Sequence, residues 1–263
     1  MMPCRVNFSF DDGRADFWSV FEHLRNLGYA FTLNVTTGYV DKTSPIAQRP
    51  SDKEALSIEQ IKQIAKYNLA EIALHGNDHN NDTQNIIEGD RKLRAWLNIP
   101  ESTKLGYASC YSKRTVQSYL EDEWMQSNTT YMRASFRIAS FRFLRVWARK
   151  IGHFIPVPLL FNLAYGDTIM KKEDNRRVLY CLPVTNEMRV FQLKALIKKA
   201  MKEEGCLIFM MHSICEDMRC EDDWSYPKKR FDELLAWIEE QRNAGKLLVS
   251  TTMDISRVIG TVR

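Results

Sequence analysis

The chain has 263 residues, 44% of them apolar and 27% charged, a balance that excludes an intrinsically disordered polypeptide and fits one large globular domain or two small ones. Lys and Arg number 37 against 33 Asp and Glu, a formal net charge of +4, too mild for a dedicated nucleic-acid binder. No apolar run approaches the roughly 20 residues of a spanning helix, and the six cysteines at 4, 110, 181, 206, 215 and 220 contain no CxxC pair, so neither a membrane span nor a disulfide framework is expected.

Strand and helix patterns alternate from the start. CRVNFSF (4–10) alternates as a strand does, and ADFWSVFEHLRNLG then sets Phe17, Val20, Phe21, Leu24 and Leu27 on one helical face before Gly28. AFTLNV (30–35) is a second strand. Ser57 and Gln60 make a capping-box start for a helix carrying Ile58, Ile61 and Ile64. AEIAL (70–74), KLGYAS (104–109) and TYMRAS (130–135) are further strands, separated by helices over 83–97 and 115–127. After a break come the strands RVLYCLPV (177–184), CLIFMM (206–211) and KLLVS (246–250), with helices over 189–204 and 228–243. Repeated strand-then-helix units predict an α/β fold with a largely parallel sheet, closed as a barrel or strongly curved, in a single domain over 1–263.

Segment 136–175 breaks this rhythm and is taken as an insertion or lid. Its first half interleaves Arg137, Arg142, Arg145, Arg149 and Lys150 with Phe136, Phe141, Leu144, Trp147 and Ile151. That pattern fits a solvated helix over the barrel, a basic amphipathic contact of 136–151 with an anionic membrane, or a cradle for a phosphate-bearing substrate.

In parallel α/β folds, active sites gather at the carboxyl ends of strands. The polar residues at those ends are Asp11 and Asp12 in FSFDDG, His75 and His79 in LHGNDH, Tyr111 in YASCYS, and His212 in IFMMHS. Asp-Asp-Gly is also ordinary turn chemistry, and an isolated HxxxH is often a pair of surface or capping histidines. Together, however, one Asp and two His at i, i+4 form a sound ligand set for a catalytic divalent ion with open positions, provided the loop turns helically.

FSFDDG, LHGNDH and CLIFMMH resemble, in order and spacing, the first, second and last motifs of the polysaccharide deacetylases, carbohydrate esterase family four. The likeness covers most of residues 4–255. It implies a distorted (β/α)7 barrel. It implies Asp11 as catalytic base, Asp12, His75 and His79 as ligands of a divalent metal, usually zinc, and His212 as general acid. Tyr111 would supply an oxyanion-binding backbone N–H. The implied reaction removes N-acetyl groups from an amino sugar or glycan intermediate.

The chain departs from the family in its third motif, where Arg-x-Pro-Tyr is replaced by YASCYS, with Cys110 at the proline position and no arginine. Arg133 on the next strand is the candidate substitute, a surface arginine being the alternative. Gly76 stands where the family has Ser or Thr. The fourth motif, Asp-x-Trp, does not occur cleanly: EDEWM (121–125) falls in a predicted helix, and DDWSY (222–226) comes after His212, as a candidate loop near the site. Two other functions stay open: hydrolysis of another non-peptide C–N bond in a cyclic amide or ureido compound, and non-catalytic carbohydrate binding. The expected partner is an N-acetylated sugar or glycan, with no nucleic acid. MMPCRVNFSFDDG has no basic stretch leading into an apolar one, so a cytoplasmic location, with membrane association through 136–151, is the expectation.

Overall fold

The computed structural model describes residues 3–110, 116–135, 147–148, 151, 157–218, 220 and 222–260. Strands β1 (Cys4–Phe10), β2 (Phe31–Val35), β3 (Ala70–Leu74), β4 (Leu105–Ala108), β5 (Thr129–Ser135), β6 (Val178–Pro183) and β7 (Cys206–Met211) pair in parallel in chain order. β1 then pairs with β7 from Arg5 to Phe10 and closes the ring. The helices Phe17–Asn26, Ile58–Ala65, Thr83–Leu97, Val190–Lys202 and Lys228–Asn243 lie in the connections, so the fold is a (β/α)7 barrel. Two short strands, β8 (Ser213–Cys215) and β9 (Ser225–Pro227), pair with each other beyond β7.

The barrel is distorted at β1. A last strand, β10 (Leu247–Val249), pairs with Cys4–Val6, while β2 pairs only with Ser9 and Phe10. One edge of β1 is therefore shared between two partners, which splays the wall at its amino-terminal end.

Strand alternation decides what enters the lumen. Phe8 and Phe10 of β1 face outward, meeting Phe231 at 5.5 Å and Phe17 at 4.6 Å between ring centroids. Asn7, Ser9 and Asp11 then face inward, as do Thr32 and Asn34 of β2. These polar groups are buried and satisfied by one another, as burial requires: Asn7 donates to Thr32 at 3.2 Å and Asn34 to Ser9 at 2.8 Å. At the barrel floor Glu71 accepts from Tyr131 (2.6 Å), Thr32 (2.9 Å) and the Met253 backbone N–H (2.8 Å).

Burial raises the Glu71 pKa despite those three donors. A raised carboxyl pKa means that the native state binds more protons than the unfolded chain in the window just above the ordinary value of 4.5. Stability is therefore lost as pH rises through that window. Thermal melts at stepped pH should show Glu71→Gln losing less stability than the wild type as pH rises from 4.5. Parallel curves for the two proteins would refute this.

Two expectations are corrected. The helix over 115–127 is two helices, Val116–Glu121 and Glu123–Asn128, because Asp122 caps the second by accepting from Met125 N–H at 2.9 Å. The thiols are also not all free: Cys215 and Cys220 are disulfide-bonded, their Cα atoms brought to 5.9 Å by the loop after β8. Cys4, Cys110, Cys181 and Cys206 are buried and free. Within 136–175, most residues up to 156 lie outside the described residues, and helix Pro158–Tyr165 follows. Among the described residues, no helix is long and apolar enough to cross a membrane.

Candidate active site

Asp11 and Asp12 follow β1 directly. Simple alternation would send them to opposite faces. Asp12 instead has φ +76°, and Gly13 follows at +83°. This turn lets both carboxylates approach one nitrogen, His75 Nε2, with Asp12 Oδ1 at 3.6 Å and Asp11 Oδ2 at 3.8 Å. Non-glycine residues at positive φ are strained, and such strain is typical of functional positions.

His75 directly follows β3, and His79 approaches from the loop beyond it. The expected helical turn between them is absent; the segment is a bend, with Gly76 at φ +78° and His79 at +52°. A Cβ on Gly76 would sit 2.8 Å from Asn85 Oδ1, so glycine is required where the family pattern has Ser or Thr. Asn85 Oδ1 holds the loop by accepting from the N–H of Asn77 (2.8 Å) and Asp78 (3.1 Å). His79 Nε2 thereby lies 3.6 Å from Asp12 Oδ1.

The donor set of Asp12, His75 and His79 fits a divalent cation. Asp12 Oδ1 and His75 Nε2 are buried without any hydrogen-bond partner, an arrangement that is costly unless something binds them. The other atom of each group is occupied: Arg14 Nε donates to Asp12 Oδ2 at 2.9 Å, and His75 Nδ1 lies 2.9 Å from Ala108 O. That second contact puts the proton on Nδ1 and directs the Nε2 lone pair into the centre, as ligating histidines require. Burial, with the neighbouring His75, lowers the His79 pKa to about 4 and keeps its ring neutral. The His75, His79 and Cys110 ligand atoms also lie within 4.8 Å of one another. Cys110 Sγ, however, donates to His75 O at 3.2 Å and faces Nδ1, the nitrogen already committed to Ala108. The buried atoms without a hydrogen-bond partner are Asp12 Oδ1 and His75 Nε2, both of the Asp12 set.

Asp11 is held on both oxygens. Asn34 donates to Oδ1 at 2.8 Å and Arg133 to Oδ2 at 2.7 Å. Arg133 is fully buried and projects from β5 on the same face as Tyr131. Burial pushes the Asp11 pKa up, but Arg133, with His75 and His212, outweighs it and brings the pKa down to about 2. Asp12 is lowered too: burial raises it, and His212, His75, His79 and Arg14 together prevail.

His212 follows β7, its ring 5.2 Å from Trp224. Its Nδ1 is buried without a hydrogen-bond partner, and burial lowers its pKa. The DDWSY loop thus reaches the site through Trp224. Tyr111 lies outside the described residues. The loop leading to it is clamped, since Cys110 N–H donates to Asn81 Oδ1 at 2.9 Å and Asn81 Nδ2 to Cys110 O at 3.0 Å.

Sequence reasoning passed over Arg14 and Asn34. Arg14 directly follows the Asp-Asp-Gly turn, and its guanidinium also reaches Ser213 Oγ at 3.3 Å, tying the first motif to the last. Asn34 sits on the inward face of β2, and the polar Thr32 and Asn34 at alternate positions of the strand were its available signal.

No family model and no curated protein matches the chain. Solved structures do. The chain is similar to the deacetylase domain of BpsB from Bordetella bronchiseptica, at 14% identity and TM-score 0.38, over 49% of this chain and 62% of that one. A family 4 acetyl xylan esterase from Clostridium thermocellum, solved with cobalt, matches over 97% of this chain and 91% of its own, at 10% identity and TM-score 0.49. The polysaccharide deacetylase Bc1974 from Bacillus cereus matches over 94% and 90%, at 10% identity and TM-score 0.46.

Proposed function

We propose that this chain is a metal-dependent hydrolase of the polysaccharide deacetylase type, removing N-acetyl groups from an amino sugar or glycan intermediate. The observation that carries the reading is the convergence of Asp12 Oδ1 with the Nε2 atoms of His75 and His79 at 3.6 Å, with Asp12 Oδ1 and His75 Nε2 buried and unpartnered. The three motifs occur in the order of that family, each at the end of a barrel strand.

Asp12, His75 and His79 would hold a divalent cation, which would supply Lewis acidity for an acyl carbonyl and for the attacking water. Arg14 confines Asp12 to one free oxygen. Asp11, next to that oxygen, takes the proton from the attacking water. Its low pKa keeps it ionised at rest, so that it can accept that proton, and Asn34 and Arg133 hold its oxygens in place. His212 protonates the departing amine. Burial makes its imidazolium a stronger acid than in water, so the proton leaves readily. Trp224 packs against the ring.

Dialysis against a chelator should abolish acetate release from acetamido sugars, and zinc or cobalt should restore it. Full activity in protein shown to be metal-free would overturn the metal reading. Release of ammonia or a ring-opened product, with no acetate, would move the assignment to another C–N bond.

A further inference from the structure

The helices Val190–Lys202 and Lys228–Asn243 both begin at the barrel mouth, the first after β6 and the second after β9. The amino end of a helix carries positive partial charge and favours carboxylates over cations. These two ends are built the other way. Arg189 directly precedes the first helix, whose first turn has no acidic residue. Lys228, Lys229 and Arg230 open the second, again with no acidic residue in the first turn.

The two ends meet. Arg230 Nη1 donates to Asn186 O and, at 3.4 Å, to Met188 O, the carbonyls just ahead of Arg189. Burial and the Arg189 charge lower the Arg230 pKa, as expected of neighbouring guanidiniums. The nearby acids are engaged by lysines: Asp232 accepts from Lys228 and Glu233 from Lys194, both at 2.9 Å. Among the described residues, neither Arg189 nor Arg230 has an ion pair. Tyr226, two residues before the second helix, is 1% exposed, and its hydroxyl has no hydrogen-bond partner. The charges that act on that hydroxyl are those of Arg230, Glu233 and Arg189, which sets it beside the same pair. A buried hydroxyl without a partner is costly unless something binds it.

This cluster is tied to the catalytic centre. Asn186 donates through its N–H to Asp223 O and through Nδ2 to Asp222 O, both at 3.0 Å, and the next residue, Trp224, packs against His212. Two guanidiniums, a phenolic hydroxyl and two helix amino ends suit a phosphoryl group, whose several charged oxygens match the planar guanidinium fork.

We propose that Arg189, Arg230 and the Tyr226 hydroxyl bind a phosphoryl group at the barrel mouth, and that this group belongs to a phosphorylated acetamido sugar. The assignment to a substrate rests on the deacetylase reading; the phosphoryl site itself does not.

Isothermal titration with inorganic phosphate at low ionic strength tests the site. Wild type should bind phosphate, and Arg189→Gln should bind it at least about tenfold more weakly, since charge-assisted hydrogen bonds are the strong ones. Tyr226→Phe, which removes only the hydroxyl, should also bind more weakly. Lys202→Gln removes the same charge at the far end of the helix and should bind as wild type. His75→Ala, which lacks a proposed metal ligand, should do so too. No binding by the wild type, full binding by Arg189→Gln or Tyr226→Phe, or equal loss in Lys202→Gln would each overturn the site. Loss in His75→Ala would overturn it by giving the anion to the metal centre. The source of the group is read from kcat/KM for N-acetylglucosamine and its 1-phosphate. Wild type should prefer the phosphorylated sugar at least about tenfold, and Arg189→Gln should lose that preference. Equal kcat/KM for the two sugars, with phosphate still bound, would overturn the substrate assignment and give the site to free phosphate. Phosphate binding needs no turnover, so absence of acetate release from both sugars would count against the deacetylase reading and leave the site standing.

Discussion

Purified wild type is expected to carry a stoichiometric metal, and His75→Ala to lose it and to release acetate at least about a thousandfold more slowly. The magnitude follows from the several kcal/mol of transition-state stabilisation that a catalytic ion provides, at 1.4 kcal/mol per decade of rate. His75 is the strongest choice because three contacts meet on it. Its Nε2 lies 3.6 Å from Asp12 and 3.8 Å from Asp11, and its Nδ1 is anchored to Ala108. Removing the ring takes away a ligand and leaves Asp12 Oδ1 and Asp11 Oδ2 without the nitrogen that they face. Elemental analysis of wild type and variant, with acetate release measured on the same samples, checks the expectation. Stoichiometric metal persisting in folded His75→Ala would show that the ligand set lies elsewhere.

Arg133→Ala is expected to retain the metal and lose activity by another route. Its guanidinium and the Asp11 carboxylate are 1% and 3% exposed and 2.7 Å apart. Breaking such a pair strands a charge in the interior and costs about 3–5 kcal/mol of stability. The same loss frees one Asp11 oxygen, leaving Asn34 as the donor on the other. A misplaced base forfeits a general-base contribution of about a hundredfold or more. Urea denaturation should therefore show a lowered midpoint. Kinetics should show a fall in kcat with KM little changed, and elemental analysis should find the metal in place. Arg133→Lys keeps the charge but not the planar fork, and should recover stability more than rate. A variant as active as the wild type would remove Arg133 from the machinery. Loss of the metal would show that it supports the ligands rather than the base.

The legibility of this site depended on what each residue's chemistry could reveal locally. Asp11, Asp12, His75 and His212 were readable because each follows an apolar strand at its carboxyl end, and His79 because it stands four residues after His75. Arg133 was readable only as a candidate: TTYMRAS fits a strand facing either way, and which face meets the lumen depends on the strands beside it. Cys110 stood out by replacing the family's proline, yet its bond to the His75 carbonyl comes from the approach of two loops distant in sequence. The break at Asp122 was missed because helical periodicity continues across it, and only the capping bond to Met125 shows where one helix ends.

The sequence by itself determined the alternation of strand and helix, the barrel that this alternation closes, and the set of polar groups at the strand ends. These follow from side-chain period and backbone propensity, which act over a few residues. Tertiary structure alone decided which lone pairs converge. It turned Asp12 to φ +76° so that both carboxylates reach His75, and it brought Arg133 across the lumen to Asp11. Those outcomes depend on how strands far apart in the chain pack around a shared interior, and in that interior a buried charge persists only beside its counter-charge.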